Sequence, residues 1–367
     1  STNWISTGGK YILKFENDVK RIVGTKYAVS FINCTSALQI SLKLSGADKN
    51  TDVLVPSTSF IATANSILYN NSNPFFLDIS KNLNINVDKA IQFLDSKTYK
   101  KKNFTYNKIT KRKISCLIIV HVFGSPVSRI EKLKKKCTEK NIILIEDCAE
   151  SLGSYHVKKN QRLHTGHYGD ISCFSFNGNK IVTAGSGGML CTNNKNIYDK
   201  AKYLSTTAKD IAYDFTHNNL GYNFRLSNIN ACIGHYEIKK LNKIIKKKNV
   251  IFNLYKKEFE NEKKIEIIHS DTQNAKSNHW LNIIKIKSKF NLNKKFMLFS
   301  KKNSIETRAV WKLMYLQKHL KKFDSSQCVN SKNNIRNCFC IPSGPELNKN
   351  DIKKISKKIK SFLKGIR

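Results

Sequence analysis

The sequence predicts an α/β fold: a large, mainly parallel sheet covered by helices on both faces, followed by a smaller α+β domain at the C-terminal end. Three observations predict it. Short continuous apolar runs, such as Cys116-Leu117-Ile118-Ile119-Val120 and Ile142-Ile143-Leu144-Ile145, lack the alternation of a half-exposed strand and read as strands buried on both faces. Segments of helical periodicity separate these runs, as parallel crossovers require. At 367 residues and 40% hydrophobic content, the chain exceeds what one core usually organises, so two domains are expected.

In chain order, residues 26–31 read as a strand and 35–44 as a helix with Ala37, Leu38, Leu42 and Leu44 on its apolar side. A strand at 52–55, a helix at 60–68 and a strand at 74–78 follow. Residues 98–113 are polar and basic, an insertion or exposed connection before the strand at 116–120. A helix over 130–137 leads to the strand at 142–145, and 171–176 is another strand. Gly185-Ser186-Gly187-Gly188 then marks a tight turn and a returning strand. A long lysine-rich helix is expected over about 227–255, and the boundary falls inside it: residues 1–245 form the large domain, 246–367 the small one. In the small domain, 280–284 and 295–299 read as strands, 307–315 and 352–362 as helices.

Composition narrows the classes. No run of about 18 apolar residues occurs, so no membrane span is expected. The opening STNWISTGGK has neither the charged leader nor the apolar run of a secretory signal, and its lack of an initiator Met suggests trimming or an incomplete sequence, either of which could have removed a targeting segment; the expectation is a cytoplasmic protein. Ten cysteines are scattered without a Cys-x-x-Cys zinc spacing, which fits a reduced protein with no metal site. Cys338 and Cys340 pack as core residues or form a metal or redox pair. The net charge of +39, from 65 Lys+Arg against 26 Asp+Glu, would attract polyanions nonspecifically and favour anionic small substrates. The excess is nearly all lysine beside Asn and Ile, as codon bias would also produce, so no specific nucleic-acid partner is expected.

Four local features carry chemistry. Asn33-Cys34-Thr35-Ser36-Ala37 joins a strand to a helix, where free N–H groups and hydroxyls suit an anion, or where the hydroxyls merely cap the helix. Glu146-Asp147-Cys148-Ala149-Glu150 directly follows a buried strand. Asp147 there can enter a site at a strand's carboxyl end and pair with a protonated heterocycle, or act as a helix cap. Lys180, in Phe174-Ser175-Phe176-Asn177-Gly178-Asn179-Lys180, lies between apolar segments rather than in a solvated lysine run. That setting suits a nucleophilic or Schiff-base amine with Ser175 as a second anion donor, and a plain turn lysine is the alternative. Asn223 and Arg225, in Gly221-Tyr222-Asn223-Phe224-Arg225-Leu226, can donate to anionic groups or cap the fold.

Taken in order, these segments resemble the DegT/DnrJ/EryC1/StrS sugar aminotransferases: Cys173 to Lys180 with Gly185-Ser186-Gly187-Gly188, Glu146 to Gly153, Leu220 to Leu226, and Trp4 to Gly9 with Phe15-Glu16. The similarity runs to Ile341-Pro342-Ser343-Gly344-Pro345. It implies the fold type I architecture of pyridoxal phosphate-dependent transferases and a homodimer with shared active sites. Lys180 would carry pyridoxal 5'-phosphate as a Schiff base, Asp147 would pair with its ring nitrogen, and Phe60 would stack on the ring. Thr35, Ser36 and Ser175 would hold the phosphate, Asn223 would reach the phosphate in the neighbouring subunit's site, and Glu150 would sit near the phenolic oxygen. Cys34 departs from the glycine or alanine often found there, with little consequence, since most donors at that turn are backbone groups and hydroxyls.

The resemblance further implies L-glutamate as amino donor and a nucleotide-linked keto sugar as acceptor. The asparagine-rich form of the lysine loop is closest to enzymes that aminate C4 of a UDP-linked 4-keto-6-deoxy-N-acetylhexosamine. Amination of a 3-keto sugar is the alternative. His156, Lys209, Asn278, His279, Trp280, Arg308 and Trp311 are the candidate substrate contacts, with core packing the competing reading for each. Relatives that dehydrate sugars carry histidine where this chain has Lys180, which favours amino transfer. A noncatalytic polyanion-binding protein is the reading from another class.

Overall fold

The computed structural model describes residues 4–159, 161–211, 213–269 and 274–365. Its strands are β1 (Tyr27–Phe31), β2 (Thr51–Pro56), β3 (Asn73–Leu77), β4 (Thr98–Lys101), β5 (Phe104–Asn107), β6 (Lys113–Val120), β7 (Ile143–Asp147), β8 (Tyr155–Lys158), β9 (Gln161–His164), β10 (Ile171–Ser175), β11 (Gly188–Thr192), β12 (Ile265–Ile268), β13 (Ala275–Lys276), β14 (Asn282–Ile286), β15 (Arg308–Ala309) and β16 (Cys338–Ile341). Its helices are α1 (Lys10–Val23), α2 (Cys34–Leu44), α3 (Ile61–Tyr69), α4 (Val87–Ser96), α5 (Ile130–Glu139), α6 (Lys195–Ser205), α7 (Asn228–Glu237), α8 (Leu241–Phe259), α9 (Asn293–Lys302), α10 (Val329–Ile335) and α11 (Lys349–Lys364).

The large sheet runs β1-β11-β10-β7-β6-β2-β3. Every neighbouring pair is parallel except those made by β11, which is antiparallel to both β1 and β10. Successive residues of one strand serve opposite cores. Val53, Val55, Ile118 and Ile145 pack with α1, α2 and α3, whereas Leu54, Leu117, Ile119 and Leu144 pack with α4 and α5. This two-sided burial is why the strands read as unbroken apolar runs. The small domain is an antiparallel sheet, β12-β14-β16-β15, whose core joins Ile284, Phe339 and Ile341 to Tyr255 of α8, Phe296 of α9 and Ile359 of α11.

Three expectations are corrected, and the exposed connection expected at 98–113 takes a definite form. Residues 295–299 belong to α9: Phe296 and Ser300 are buried while Leu298 is exposed, a helical spacing that a short apolar run conceals. Residues 307–315 form no helix, but the short β15 and a 3-10 turn at Met314–Leu316. The basic stretch 98–113 is ordered as the β4–β5 hairpin and the start of β6, with Tyr99 stacked on Tyr106. The helix expected over 227–255 is broken by a 3-10 turn at Ile238–Lys240. On one side of the break α7 packs on α1, Gly234 lying against Phe15; on the other, α8 carries Ile251, Tyr255 and Phe259 into the small-domain core.

All ten cysteines are free thiols. Cys338 and Cys340 are buried in β16, where Cys338 donates to the Asn334 carbonyl. Among the described residues no helix is long and apolar enough to cross a membrane.

Candidate active site

Because β1, β2, β6, β7 and β10 all point the same way, their carboxyl ends deliver five turns to one edge of the sheet, the usual ligand edge of such folds. Together with loops of the small domain they enclose a cavity of about 470 Å³. Asp147, Ser175 and Lys180 line it from the large domain, with Thr35 beside Cys34 at the start of α2. Phe60 borders it at the start of α3, and Trp280, Arg308 and Trp311 close it from the small-domain side.

Asp147 ends β7 and is only 3% exposed. Its carboxylate accepts hydrogen bonds from the Thr63 hydroxyl at 2.7 Å and the Ala149 N–H at 3.1 Å, and Thr63 lies 2.6 Å from the Ser59 hydroxyl. Burial pushes the carboxyl above its ordinary range, and these donors oppose the shift only in part. Among the described residues no cation stands at hydrogen-bond distance from this carboxylate, and a protonated ring nitrogen is a partner of that kind.

Lys180 follows a turn closed by its own N–H donating to the Asn177 carbonyl at 3.0 Å. Its side chain is 14% exposed, with Nζ 3.7 Å from Glu150 and 3.9 Å from the centre of the Trp280 ring. Trp280 also donates its indole N–H to the Asn179 carbonyl at 2.8 Å, which ties the lysine loop to the opposite wall. Glu150 accepts from the Phe123 N–H at 2.6 Å. Burial raises its carboxyl to about 7, outweighing the attraction of Lys180, so it exchanges a proton near neutrality.

The N-terminus of α2 forms one end of the cavity. Asn33 caps the helix by accepting from the Ser36 N–H at 2.8 Å, which leaves Cys34 and Thr35 facing the cavity. Ser36 itself is buried and does not line the wall. The returning strand β11 is packed against this turn. A Cβ added to Gly188 would stand 2.4 Å from backbone atoms of Asn33 and 2.5 Å from the Cys34 nitrogen, so only glycine fits.

Several expected substrate contacts lie elsewhere. His156 is buried in β8 against Tyr168, and it borders a separate cavity with Arg129 and Lys158. Asn278 is a buried rivet: its amide donates to the Glu150 and Leu152 carbonyls at 2.9 Å and its oxygen accepts from the Trp280 N–H. It packs so closely on Gly124, whose φ is +88°, that a side chain there would collide. His279 stacks on Phe252 with ring centres 4.0 Å apart. Lys209 is exposed over the Phe215 ring, and Asn223 is exposed beside Thr206; neither lines the cavity.

Sequence reasoning missed Thr63, Ser59 and Phe123. A threonine inside a helix carries no signal until its partner is known, and Asp147 lies 84 residues away. Phe123 adopts a left-handed backbone, φ 55°, and its ring packs 4.4 Å from Trp311. Among the described residues one cluster offers metal-like donors, His121, Glu146 and Cys148, and hydrogen bonds engage its imidazole and its carboxylate. His121 accepts from the Val127 N–H and faces Glu146 at 2.8 Å, and Glu146 also accepts from the Gly166 and Gly169 N–H groups.

The chain is similar to known proteins in sequence and in fold. The chain is 31% identical to GDP-perosamine synthase of Escherichia coli O157:H7 over 280 residues, covering 76% of this chain and 71% of the relative. It is 32% identical over 260 residues to a UDP-4-amino-4,6-dideoxy-N-acetyl-beta-L-altrosamine transaminase of Campylobacter jejuni, covering 70% and 64%. In fold it is similar to Helicobacter pylori PseC, an aminotransferase involved in pseudoaminic acid biosynthesis, with a TM-score of 0.86 at 24% identity over 100% of this chain and 94% of that one. The model of the DegT/DnrJ/EryC1/StrS aminotransferase family matches residues 1–360, and with that match the chain belongs to the family: it is a pyridoxal phosphate-dependent enzyme that aminates nucleotide-linked sugars.

Proposed function

We propose that the protein transfers the amino group of L-glutamate to the C4 keto carbon of a UDP-linked 4-keto-6-deoxy-N-acetylhexosamine. The observation that carries the catalytic part is the convergence of the Lys180 amine, the buried Asp147 carboxylate and the α2 N-terminus on one cavity. The cavity is of the size that small-molecule sites usually have. Its donor set matches the cofactor at three points: an anion end, a carboxylate for a ring nitrogen and an amine for an aldehyde.

Pyridoxal phosphate, when bound, supplies the electron-withdrawing ring and the carbon that accepts the amino group. The chain's own residues do the rest. Thr35, Ser175 and the uncapped N–H groups of α2 would hold the phosphate, while Ser36, expected to join them, is buried behind this wall. Asp147 keeps the ring nitrogen protonated, and Thr63 orients its carboxylate. Phe60 covers the ring. Lys180 would anchor the cofactor through its amine, and that amine is the group placed to move a proton at the substrate carbon. Glu150, titrating near neutrality beside Lys180, holds or returns that proton.

The acceptor assignment rests on the Phe176-Asn177-Gly178-Asn179-Lys180 loop and on the UDP-sugar transaminase among the relatives. A GDP-linked acceptor is the second reading, favoured by the GDP-perosamine synthases. We assign a homodimer as well. Tyr213, Phe215 and Leu220 are exposed apolar residues between Lys209 and Asn223, and Ile229, Ile233 and Tyr236 extend an apolar surface along α7. Covering them by a second copy would let Asn223 reach the partner's phosphate end. Incubating the holoenzyme with glutamate and a panel of UDP-, GDP- and dTDP-linked 3-keto and 4-keto sugars tests the assignment. Amination of the UDP-linked 4-keto N-acetyl sugar alone supports it; preference for a GDP-linked or 3-keto acceptor overturns it.

A further inference from the structure

The proposed reaction makes one cavity receive two unlike anions in turn, a dicarboxylic amino acid and a nucleoside diphosphate sugar. Among the described residues lining the cavity, the only cations are Lys180 and Arg308. Lys180 is committed to the transfer chemistry. A second cavity of about 530 Å³ adjoins the first, sharing Lys180, Trp280, Arg308 and Cys340. Its further cation, Lys248, donates to the Trp280 carbonyl at 2.8 Å and the Ser343 carbonyl at 2.7 Å. Arg308 therefore stands where a short anion in the first cavity and a longer one reaching into the second both pass.

Its backbone is fixed by pairing opposite Cys340 in the small sheet, while its side chain is 69% exposed. The guanidinium meets the Glu306 carboxylate at 2.7 Å, and Glu306 is 78% exposed. A pair this exposed is weak and exchanges readily. A guanidinium takes a carboxylate or a phosphate through the same planar fork.

We infer that Arg308 is the shared anion hook of both half-reactions. It takes a carboxylate of the amino donor in one and a phosphate oxygen of the acceptor in the other, and Glu306 is the internal carboxylate that each displaces. The inference rests on the co-substrates proposed above.

Calorimetry on the holoenzyme tests it with three probes: UDP, GDP and 2-oxoglutarate, the keto acid left by glutamate, which does not react with the pyridoxal form. Arg308→Ala should weaken 2-oxoglutarate and the preferred nucleoside diphosphate together, each on the order of 10- to 100-fold. Arg308→Lys, which keeps the charge and loses the fork, should fall between. Glu306→Gln should tighten both. Loss of one class of anion alone in Arg308→Ala, or unchanged binding of both in Glu306→Gln, overturns the inference. Wild-type protein that binds neither class would instead remove the co-substrate reading, and the inference with it.

Discussion

The two sides of the cavity are built differently. The large-domain side is made of strand ends: Asp147 closes β7, Ser175 closes β10, and the α2 turn follows β1. Each of these groups is held by a sheet whose register leaves it little freedom, and Asp147 is further fixed by Thr63 and Ala149. The small-domain side is made of Trp280, Arg308 and Trp311, carried on loops and on a two-residue strand. Rigid chemistry thus faces adjustable recognition. Loss on the first side should stop the reaction whatever the sugar, and on the second side the groups that meet the sugar alone, Trp311 among them, should set which sugar is used.

The strongest way to break this contrast is at the amine. Lys180→Ala should lower amino transfer roughly ten-thousandfold with every acceptor. Borohydride reduction of the wild type should fix a phosphopyridoxyl group on the Lys180 peptide, and label found on another lysine would refute the assignment. Asp147→Asn should follow, lowering kcat on the order of 100- to 1000-fold for both half-reactions alike. A loss confined to one acceptor would erase the distinction between the two sides.

Glu150 sharpens the comparison through pH. Its folded carboxyl titrates at about 7 rather than at the ordinary 4.5, so its neutral form is the one the fold prefers. Its contribution to stability is complete below about pH 4.5 and is lost as pH rises through 7. In cofactor-free protein, Glu150→Gln should match the wild type near pH 4.5 and exceed it by up to about 3 kcal/mol at pH 8, read from urea midpoints. An equal difference at both pH values would show that burial does not govern this group.

On the recognition side, Trp311→Ala should raise KM for the sugar about tenfold, ~1.4 kcal/mol, without changing the glutamate half-reaction. A matching loss in both would make Trp311 part of the chemical side. The smallest effect is expected at His156. Bordering a different cavity, it should leave kcat and KM unchanged when replaced by Gln, and a shifted KM would return it to the substrate.

The same contrast explains what the sequence discloses. The parallel strands were legible because burial on both faces leaves unbroken apolar runs, and the gathering of Asp147, Ser175 and Lys180 on one cavity was legible because each lies at or just beyond the end of such a run. In the small domain the signals conflict. Residues 295–299 are as apolar as a strand yet lie on a helix with one buried face, and β15 is too short to leave any period. His156, Asn278 and His279 are polar residues that the core consumes, and composition does not separate them from ligands. Thr63 and Phe123 became visible only when tertiary structure brought α3 and the turn after β6 to Asp147 and Glu150.

Gly188 gives the two-sided design a history. The lysine loop's returning strand touches the backbone of the phosphate turn with no room for a methyl group. A drifting sequence therefore cannot shift the anchor for a bulkier sugar without loosening the anion end, and mutations there are penalised twice. Diversification towards new acceptors is left to the opposite wall, where Trp311 can change without touching that contact.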